Sequence, residues 1–351
     1  MKVLFLIGML KFSGAENVLK SISKEMLDKG VDVSIAVRVQ HDADHYEGVP
    51  VYSCVGSGKE RILHLRKLIK EQGIQIVVGF GFPFTLDAVL LKLLTGCKAV
   101  VCERHDPSSI QRSKLQSLEK KVLYPLADKF VVQTHLTKKY YLAQYTRKEE
   151  KVSVIFNPVR YEKPGCVADA CRKKEIVSVG RYDDAQKNFT MLIQAVAQLH
   201  DAHPEYVLRL YGEGNDRGKY EALIRDLNAE DYIFLMGYES KPLEKIKDAE
   251  VFCITSNYEG MPNALIEAMS VGLPCVATDC GGGAAAELIR NEENGILIPC
   301  SDVKRLVEAI QYMIENKDAA WDMARNAYLI NDELSLEEIT KKWITAFSSL
   351  V

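Results

Sequence analysis

Short apolar strands alternating with helix-period segments recur along the whole chain, and this alternation restricts the possible folds more than any other feature. The runs VLFLI (3–7), VDVSIAV (31–37), IQIVVGF (74–80), AVVCE (99–103) and KFVVQT (129–134) are apolar and rich in β-branched residues. Between them lie segments such as AENVLKSISKEMLDKG, in which apolar residues return every three or four positions until Gly30 ends the pattern. Strands without polar alternation need cover on both faces, and strand–helix repetition supplies it as a parallel sheet with helices on either side. In such sheets ligand-binding groups collect at the carboxyl ends of the strands.

The alternation lapses once. After VSVIFNPV (152–159) comes a charged stretch carrying Pro164 and Gly165, and strand signals restart at IVSVG (176–180), which places a linker at about 160–174. A second series follows: VLRLYG (207–212), YIFLMG (232–237), VFCIT (251–255), PCVAT (274–278) and GILIP (295–299). At 351 residues the chain exceeds what one core usually organises. The expected architecture is therefore α/β: two doubly wound parallel-sheet, Rossmann-like domains, residues 1–160 and 172–334, facing a central cleft where a ligand would bind. No short-period repeat is visible.

Several classes drop out on composition and local pattern. No apolar run approaches the roughly 20 residues of a membrane span. The opening MKVLFLIGML lacks a positive leader and a cleavage site, so it reads as a first buried strand of a cytoplasmic protein. Nine cysteines include no Cys-x-x-Cys pair and no neighbouring His cluster, which favours reduced buried thiols over disulfides or zinc. A nicotinamide-binding loop would need G-x-G-x-x-G straight after a strand, and the first strand is followed only by Gly8 and then Gly14. Net charge is −3, yet residues 1–160 hold 25 Lys and Arg against 16 Asp and Glu, while the remainder holds 20 against 32. A positive first half suits an anionic membrane face or a phosphate-bearing acceptor; drift of surface composition is the plainer explanation. No nucleic-acid partner is expected.

The stretch SNYEGMPNALIEAMSVGLP (256–274) concentrates candidate chemistry. A buried strand leads into a turn, Pro262 suits the first position of a helix ending near Gly272, and the helix start offers unpaired amides to a phosphate. Glu259 precedes that start, and Glu267 lies five residues beyond Pro262, roughly 7.5 Å along the axis. Two carboxylates bracketing an amide cluster match the hydroxyl–diphosphate–ribose order of a sugar nucleotide; two ordinary surface glutamates are the alternative. GRYDDAQKN (180–188) brings Arg181 and Lys187 to the end of another strand, where two fixed cations can neutralise a diphosphate leaving group. YGEGND and MGYES place Gly212, Gly237 and Tyr238 at strand ends, either for close backbone approach to a base or ribose or simply for tight turns.

In this order, GRYDDAQKN, YGEG, LMGY, SNYEGMPNALIEAMSVGLP and AAELIRNEENGILIP resemble family 4 of the retaining nucleotide-sugar glycosyltransferases, whose architecture is GT-B. The resemblance implies that Arg181 and Lys187 hold the donor diphosphate and that Gly260, Met261, Pro262 and Asn263 contact donor sugar and phosphate. It gives Glu259 the sugar hydroxyls and Glu267 the ribose. GGGAAAEL (281–288) departs from the family in lacking a proline, which leaves the role of Gly281–Gly283 open. In the first half, KFSGAENVL resembles the family's G-G-A-E helix start with Ser13 replacing one glycine, and Gly14 is a donor contact by that likeness. AVVCERHDP brings Glu103, Arg104, His105 and Asp106 to the expected cleft rim, with His105 as catalytic candidate, although similar enzymes also carry Asn there.

KERILHLRKLIK (59–70) and the segment from Arg112 to Lys121 fit core-facing helices with a solvated face, or helices resting on an anionic membrane. LEEITKKWITAFSSL, within about 335–351, is by resemblance a helix that crosses back onto the first domain, with Trp343 as its core anchor. The reaction implied is metal-independent, retaining transfer from a nucleotide sugar, UDP-linked, to a glycan or lipid-linked glycan, in bacterial surface polysaccharide assembly at the inner face of the membrane. The catalytic set is His105, Glu259, Arg181 and Lys187, with no cofactor beyond the co-substrate. A catalytically silent sugar-nucleotide-binding or scaffold protein would carry the same two glutamates.

Overall fold

The computed structural model describes residues 1–10, 14–39, 45–107, 113–160 and 172–351. The chain divides into two compact units, Met1–Arg160 with Leu334–Val351, and Tyr161–Glu333. In the first, β1 (Lys2–Ile7), α1 (Gly14–Asp28), β2 (Asp32–Val37), β3 (His45–Tyr46), β4 (Val49–Ser53), α2 (Gly58–Gln72), β5 (Ile76–Phe80), α3 (Phe84–Thr95), β6 (Lys98–Cys102), α4 (Lys114–Leu123), β7 (Lys129–Val132), α5 (His135–Gln144) and β8 (Val152–Val154) follow in order. The second holds β9 (Lys173–Val179), α6 (Asp184–Lys187), α7 (Phe189–His200), β10 (Val207–Tyr211), α8 (Arg217–Asp226), β11 (Ile233–Gly237), α9 (Pro242–Ile246), β12 (Ala249–Ile254), α10 (Asn263–Ser270), β13 (Cys275–Asp279), α11 (Ala284–Leu288), β14 (Ile296–Pro299), α12 (Val303–Glu315), α13 (Lys317–Tyr328) and α14 (Ile330–Glu333). The final helix, α15 (Leu336–Ser348), returns to the first unit.

Eight strands form the first sheet in the order β3-β4-β2-β1-β5-β6-β7-β8, parallel throughout except for the small β3–β4 pair. Six parallel strands form the second, β11-β10-β9-β12-β13-β14. Each order reverses direction once, between β1 and β5 and between β9 and β12, and a doubly wound sheet opens a crevice at such a reversal. Strand β5 is buried along its whole length, as its unbroken apolar run requires.

Trp343 of α15 is fully buried among the rings of Phe5, Phe80 and Phe347, at centroid distances of 6.0, 6.4 and 5.5 Å. The side chain of Ser335 caps this helix by accepting from the Glu338 amide at 3.2 Å.

The two basic amphipathic segments differ. Helix α2 opens with a capping box between Ser57 and Glu60, turns Arg61, Leu65 and Ile69 inward, and stops at Gly73 with φ 64°. Arg61 there binds the carboxylate of Asp87 at 2.9 and 3.2 Å, both groups buried. In α4 the arrangement is inverted: Lys120 is buried while Leu115, Leu118 and Val122 face solvent.

The buried partner of Lys120 corrects the placement expected for the strand-end charges. Glu103, Arg104 and Asp106 are buried, and among the four only His105 is exposed. Glu103 accepts from Lys120 Nζ at 2.8 Å on both oxygens and from the hydroxyls of Tyr124 and Tyr141 at 2.8 Å each, so a full set of donors offsets its desolvation. Arg104 lies over the Phe80 ring at 4.6 Å and donates to the Asn157 side chain.

The cysteines at 54, 97, 102, 253, 275, 280 and 300 are free, all buried except half-buried Cys300; Cys166 and Cys171 lie outside the described residues. Among the described residues no helix is long and apolar enough to cross a membrane, and no three His, Cys, Asp or Glu side chains are grouped to share a metal.

Candidate functional site

The loops that leave β9 and β12 flank the reversal of the second sheet, and they carry most of the candidate residues. Gly180 and Arg181 follow β9, and the short α6 then presents Lys187 at its end. Asn188 halts α6 in the left-handed conformation (φ 48°), which Asn tolerates better than most residues, and its side chain accepts from the Met191 amide to start α7. Lys187 is thereby fixed between two helices. The aliphatic stem of Lys187 passes close over Gly180, where an added Cβ would meet Lys187 Cε at 3.2 Å.

From the β12 side, Thr255 Oγ1 donates to the carbonyls of Lys187 (2.9 Å) and Asn188 (3.1 Å), and the Asn257 amide donates to the Gln186 carbonyl at 2.8 Å. These bonds stitch the two loops together and bring Lys187 Nζ onto Glu259 Oε1 as an ion pair. Ser256 Oγ donates to the same oxygen at 2.7 Å. Both donors converge on Oε1, so Oε2 keeps its capacity to accept further bonds. Only 15% of the Lys187 side chain and 9% of the Glu259 side chain are exposed, which puts the pair in a partly dehydrated setting where charge is felt more strongly than in water.

Helix α10 begins beside this pair. Pro262 is its N-cap rather than its first helical residue; its carbonyl accepts from Leu265 (3.1 Å) and Ile266 (3.2 Å), and no side chain caps the start. The helix ends at Ser270, two residues short of Gly272. Gly260 is half-buried, Met261 and Pro262 are buried, and Asn263 is half-buried. Glu267 is buried one turn further on. An uncapped helix start next to a lysine ammonium favours an anion on both dipole and charge grounds.

The run Gly281–Gly283 has a backbone role: the Gly281 carbonyl accepts from the Glu259 amide at 3.3 Å and Gly281 bridges Tyr258, while Gly282 and Gly283 take φ of 91° and 68° to enter α11. Thr278 Oγ1 holds the Ser256 carbonyl at 2.6 Å from the end of β13.

Gly212 follows β10 with φ 151°, and a Cβ there would sit 1.8 Å from the Gly180 carbonyl oxygen. That approach lets the β10 loop lie against the β9 loop, with the Tyr182 amide donating to the Glu213 carbonyl at 2.9 Å and Tyr182 Oη to the Leu210 carbonyl at 2.7 Å. Gly237 closes β11 with φ 79°, and Tyr238 beyond it is exposed. Arg181 is exposed. Asp184, next to the lysine loop, accepts from Thr190 N and Oγ1 at 2.9 Å each and from Lys219 Nζ at 2.5 Å. Burial opposes its charge, but these donors outweigh burial and hold its carboxyl below the usual range.

In the first unit, Gly14 is the first residue of α1 and His105 is exposed in the loop after β6; Ser13 and Arg112 lie outside the described residues. Residues 255, 256 and 278 escaped sequence reasoning. Hydroxyls at strand ends give no periodic signal, and only the proximity of Ser256 to Glu259 in the chain hinted at a pairing.

Comparison with known proteins gives this geometry a family. The model described as Glycosyl transferases group 1 matches residues 169–330, and that described as Glycosyltransferase Family 4 matches residues 12–163. A Campylobacter jejuni protein, N-acetylgalactosamine-N,N'-diacetylbacillosaminyl-diphospho-undecaprenol 4-alpha-N-acetylgalactosaminyltransferase, is 29% identical over 275 residues, 76% of this chain and 73% of that protein. Another from the same organism, GalNAc-alpha-(1->4)-GalNAc-alpha-(1->3)-diNAcBac-PP-undecaprenol alpha-1,4-N-acetyl-D-galactosaminyltransferase, is 22% identical over 359 residues, 98% of this chain and 97% of the relative. Among solved structures, Anabaena Alr3699/HepE in complex with UDP superposes with a TM-score of 0.88 at 18% identity, over 99% of this chain and 100% of that one, a likeness of GT-B fold. Matched by the two models in succession from residue 12 to residue 330, the chain is a glycosyltransferase of the family 4 type.

Proposed function

We propose that this enzyme moves a sugar from a UDP-sugar to a hydroxyl of a lipid-linked or polysaccharide glycan in bacterial surface-glycan assembly, with retention at the anomeric carbon and without a metal ion. The observation that carries the reading is the Lys187–Glu259 pair beside the uncapped start of α10, with Arg181 on the same loop as Lys187. Lys187 is held in place before any donor arrives, so its charge needs little reorganisation to meet the departing diphosphate. Arg181 adds a second cation to that leaving group, and Glu259 Oε2 is left to accept from the donor-sugar hydroxyls. Glu267 takes the ribose.

In the step itself, the bond from the anomeric carbon to the diphosphate oxygen breaks, the acceptor oxygen bonds to that carbon on the same face, and the acceptor proton passes to the departing diphosphate. This assigns no protein carboxylate as nucleophile. The acceptor class rests on the names of the two Campylobacter relatives, which act on undecaprenyl-diphosphate-linked sugars, and the base on the UDP bound to the Anabaena protein. We assign His105 a role in turnover rather than in nucleotide affinity.

The test is a thermal-shift series with UDP-, GDP- and ADP-sugars followed by transfer of radiolabelled sugar to lipid-linked acceptors. A ligand at 100 times its dissociation constant stabilises by about 2.7 kcal/mol. Stabilisation by a GDP- or ADP-sugar but not UDP overturns the base assignment, a product of inverted configuration overturns retention, and loss of transfer on chelation overturns metal independence. Tight binding with no transfer or hydrolysis makes the protein a silent binder.

A further inference from the structure

We propose that Ser256 is a positioning residue of the transfer reaction: its hydroxyl fixes the rotation of the Glu259 carboxylate, so that one oxygen neutralises Lys187 and the other stays available to the donor sugar. The inference rests on the reading of the donor site given above and assigns Ser256 no contact of its own with nucleotide or sugar.

The backbone around Ser256 is tied on three sides. Thr278 Oγ1 donates to the Ser256 carbonyl at 2.6 Å, the Asn257 amide donates to the Gln186 carbonyl at 2.8 Å, and the Glu259 amide donates to the Gly281 carbonyl at 3.3 Å. The main chain from 256 to 259 is therefore held against the lysine loop on one side and the end of β13 on the other, and what remains variable in Glu259 is its side chain. The last torsion of a glutamate is broad and roughly two-fold, so torsional preference alone does not decide whether one carboxylate oxygen or both meet the lysine. The Ser256 hydroxyl decides it. Ser256 is 1% exposed, and its Oγ donates at 2.7 Å to Oε1, the same oxygen that takes Lys187 Nζ. Among the described residues no donor is bound to Oε2.

The first unit displays the alternative grip. Lys120 Nζ meets Glu103 on both carboxylate oxygens at 2.8 Å, with Tyr124 Oη on Oε1 and Tyr141 Oη on Oε2. Such a two-oxygen contact suits a pair that holds a core together. At Glu259 it would occupy Oε2 and neutralise the ammonium more completely, removing from the site an acceptor for sugar hydroxyls and part of the charge offered to the diphosphate. Rolling the carboxylate onto the ammonium would stretch the bond from Ser256, and a hydroxyl buried this deeply has no water to replace the lost acceptor. Ser256 thereby keeps the contact to one oxygen before any donor arrives.

The test uses the full chain carrying Ser256→Ala or Ser256→Cys, the latter close to serine in size but a far weaker donor. Apo crystal structures of both variants should show Lys187 Nζ within hydrogen-bond reach of Glu259 Oε1 and Oε2 together. With the UDP-sugar that gives the largest thermal shift, kcat/KM for transfer should fall by at least about tenfold in both variants, the size of one charge-assisted hydrogen bond. UDP affinity by isothermal titration should stay within about threefold of the parent, because Lys187 keeps its place. A damaged fold or a misshapen site would weaken nucleotide and sugar recognition together, so the split between them marks positioning. The inference is overturned if Lys187 still meets Oε1 alone in the variants, if Ser256→Cys transfers sugar at the parental rate, or if UDP affinity falls as far as kcat/KM. A parent chain that neither binds nor transfers from any UDP-sugar refutes the donor reading instead, and the crystal structures of the variants still decide what Ser256 does to Glu259.

Discussion

Replacing Lys187 by methionine keeps the aliphatic stem that packs over Gly180 and removes only the ammonium. Two effects follow, and they differ in size. For stability, breaking a fully buried ion pair costs about 3–5 kcal/mol. Here the side chains retain 15% and 9% exposure and Ser256 still donates to Glu259 Oε1 at 2.7 Å. The discounted loss is about 1–2 kcal/mol, a fall in Tm of about 2–8 °C for a unit of this size. For ligand binding, an ammonium-to-diphosphate bond is charge-assisted and worth about 1.5–3 kcal/mol, so UDP affinity should drop by about 10- to 150-fold.

Glu259→Gln tests the other half of the pair. It removes the carboxylate that competes with diphosphate for Lys187, so UDP affinity should hold or rise. Turnover of the UDP-sugar should nevertheless fall by about tenfold or more, because a neutral amide accepts a hydroxyl proton less strongly than a carboxylate does. Isothermal titration with UDP and initial-rate kinetics with the UDP-sugar measure the two effects separately. The reasoning is refuted if Lys187→Met binds UDP like the parent, or if Glu259→Gln loses UDP affinity as severely as Lys187→Met.

His105→Ala should lower kcat while leaving the UDP-induced thermal shift unchanged; an unchanged kcat removes His105 from the catalytic set. Gly212→Ala should destabilise by more than about 3 kcal/mol in urea unfolding, since its Cβ would lie 1.8 Å from the Gly180 carbonyl oxygen at φ 151°; a parental midpoint would contradict that packing. Glu103→Gln removes the carboxylate from an ion pair whose side chains are both 3% exposed and should cost about 3–5 kcal/mol, read by the same melts. Burial, reinforced by the Glu103 charge, pushes Tyr124 and Tyr141 well above the usual phenol range, and burial pushes Tyr182 up to about 12. The unfolded phenols ionise near pH 10 and the folded ones do not. The stabilisation is therefore complete below pH 10 and declines as pH rises beyond it, by about 1.4 kcal/mol per unit for each such phenol. Melts between pH 8 and 11 that stayed flat would refute the buried-phenol reading.

Much of the frame was legible in residues alone. Unbroken apolar runs became the central strands of two parallel sheets, and the two glutamates of the Glu259–Glu267 stretch came to lie on either side of the start of α10. Trp343 was readable as a core anchor from the amphipathic period of its helix. Strand β4 went unread because Pro50 interrupts a five-residue run, and Glu103 was misplaced because a strand-end carboxylate looks the same in sequence whether it faces solvent or a buried lysine.

Period, turn and cap signals depend on neighbours a few positions away, so the chain carries them openly. Which charges meet depends on strand order, and that is settled only when both sheets close. β9 and β12 become neighbours although β10 and β11 separate them in sequence, and this alone sets Lys187 on Glu259 across 72 residues. In the same way Lys120 reaches back 17 residues to Glu103. Helix α4 turns Leu115, Leu118 and Val122 to solvent, because Lys120 on its opposite face is bound to the buried Glu103.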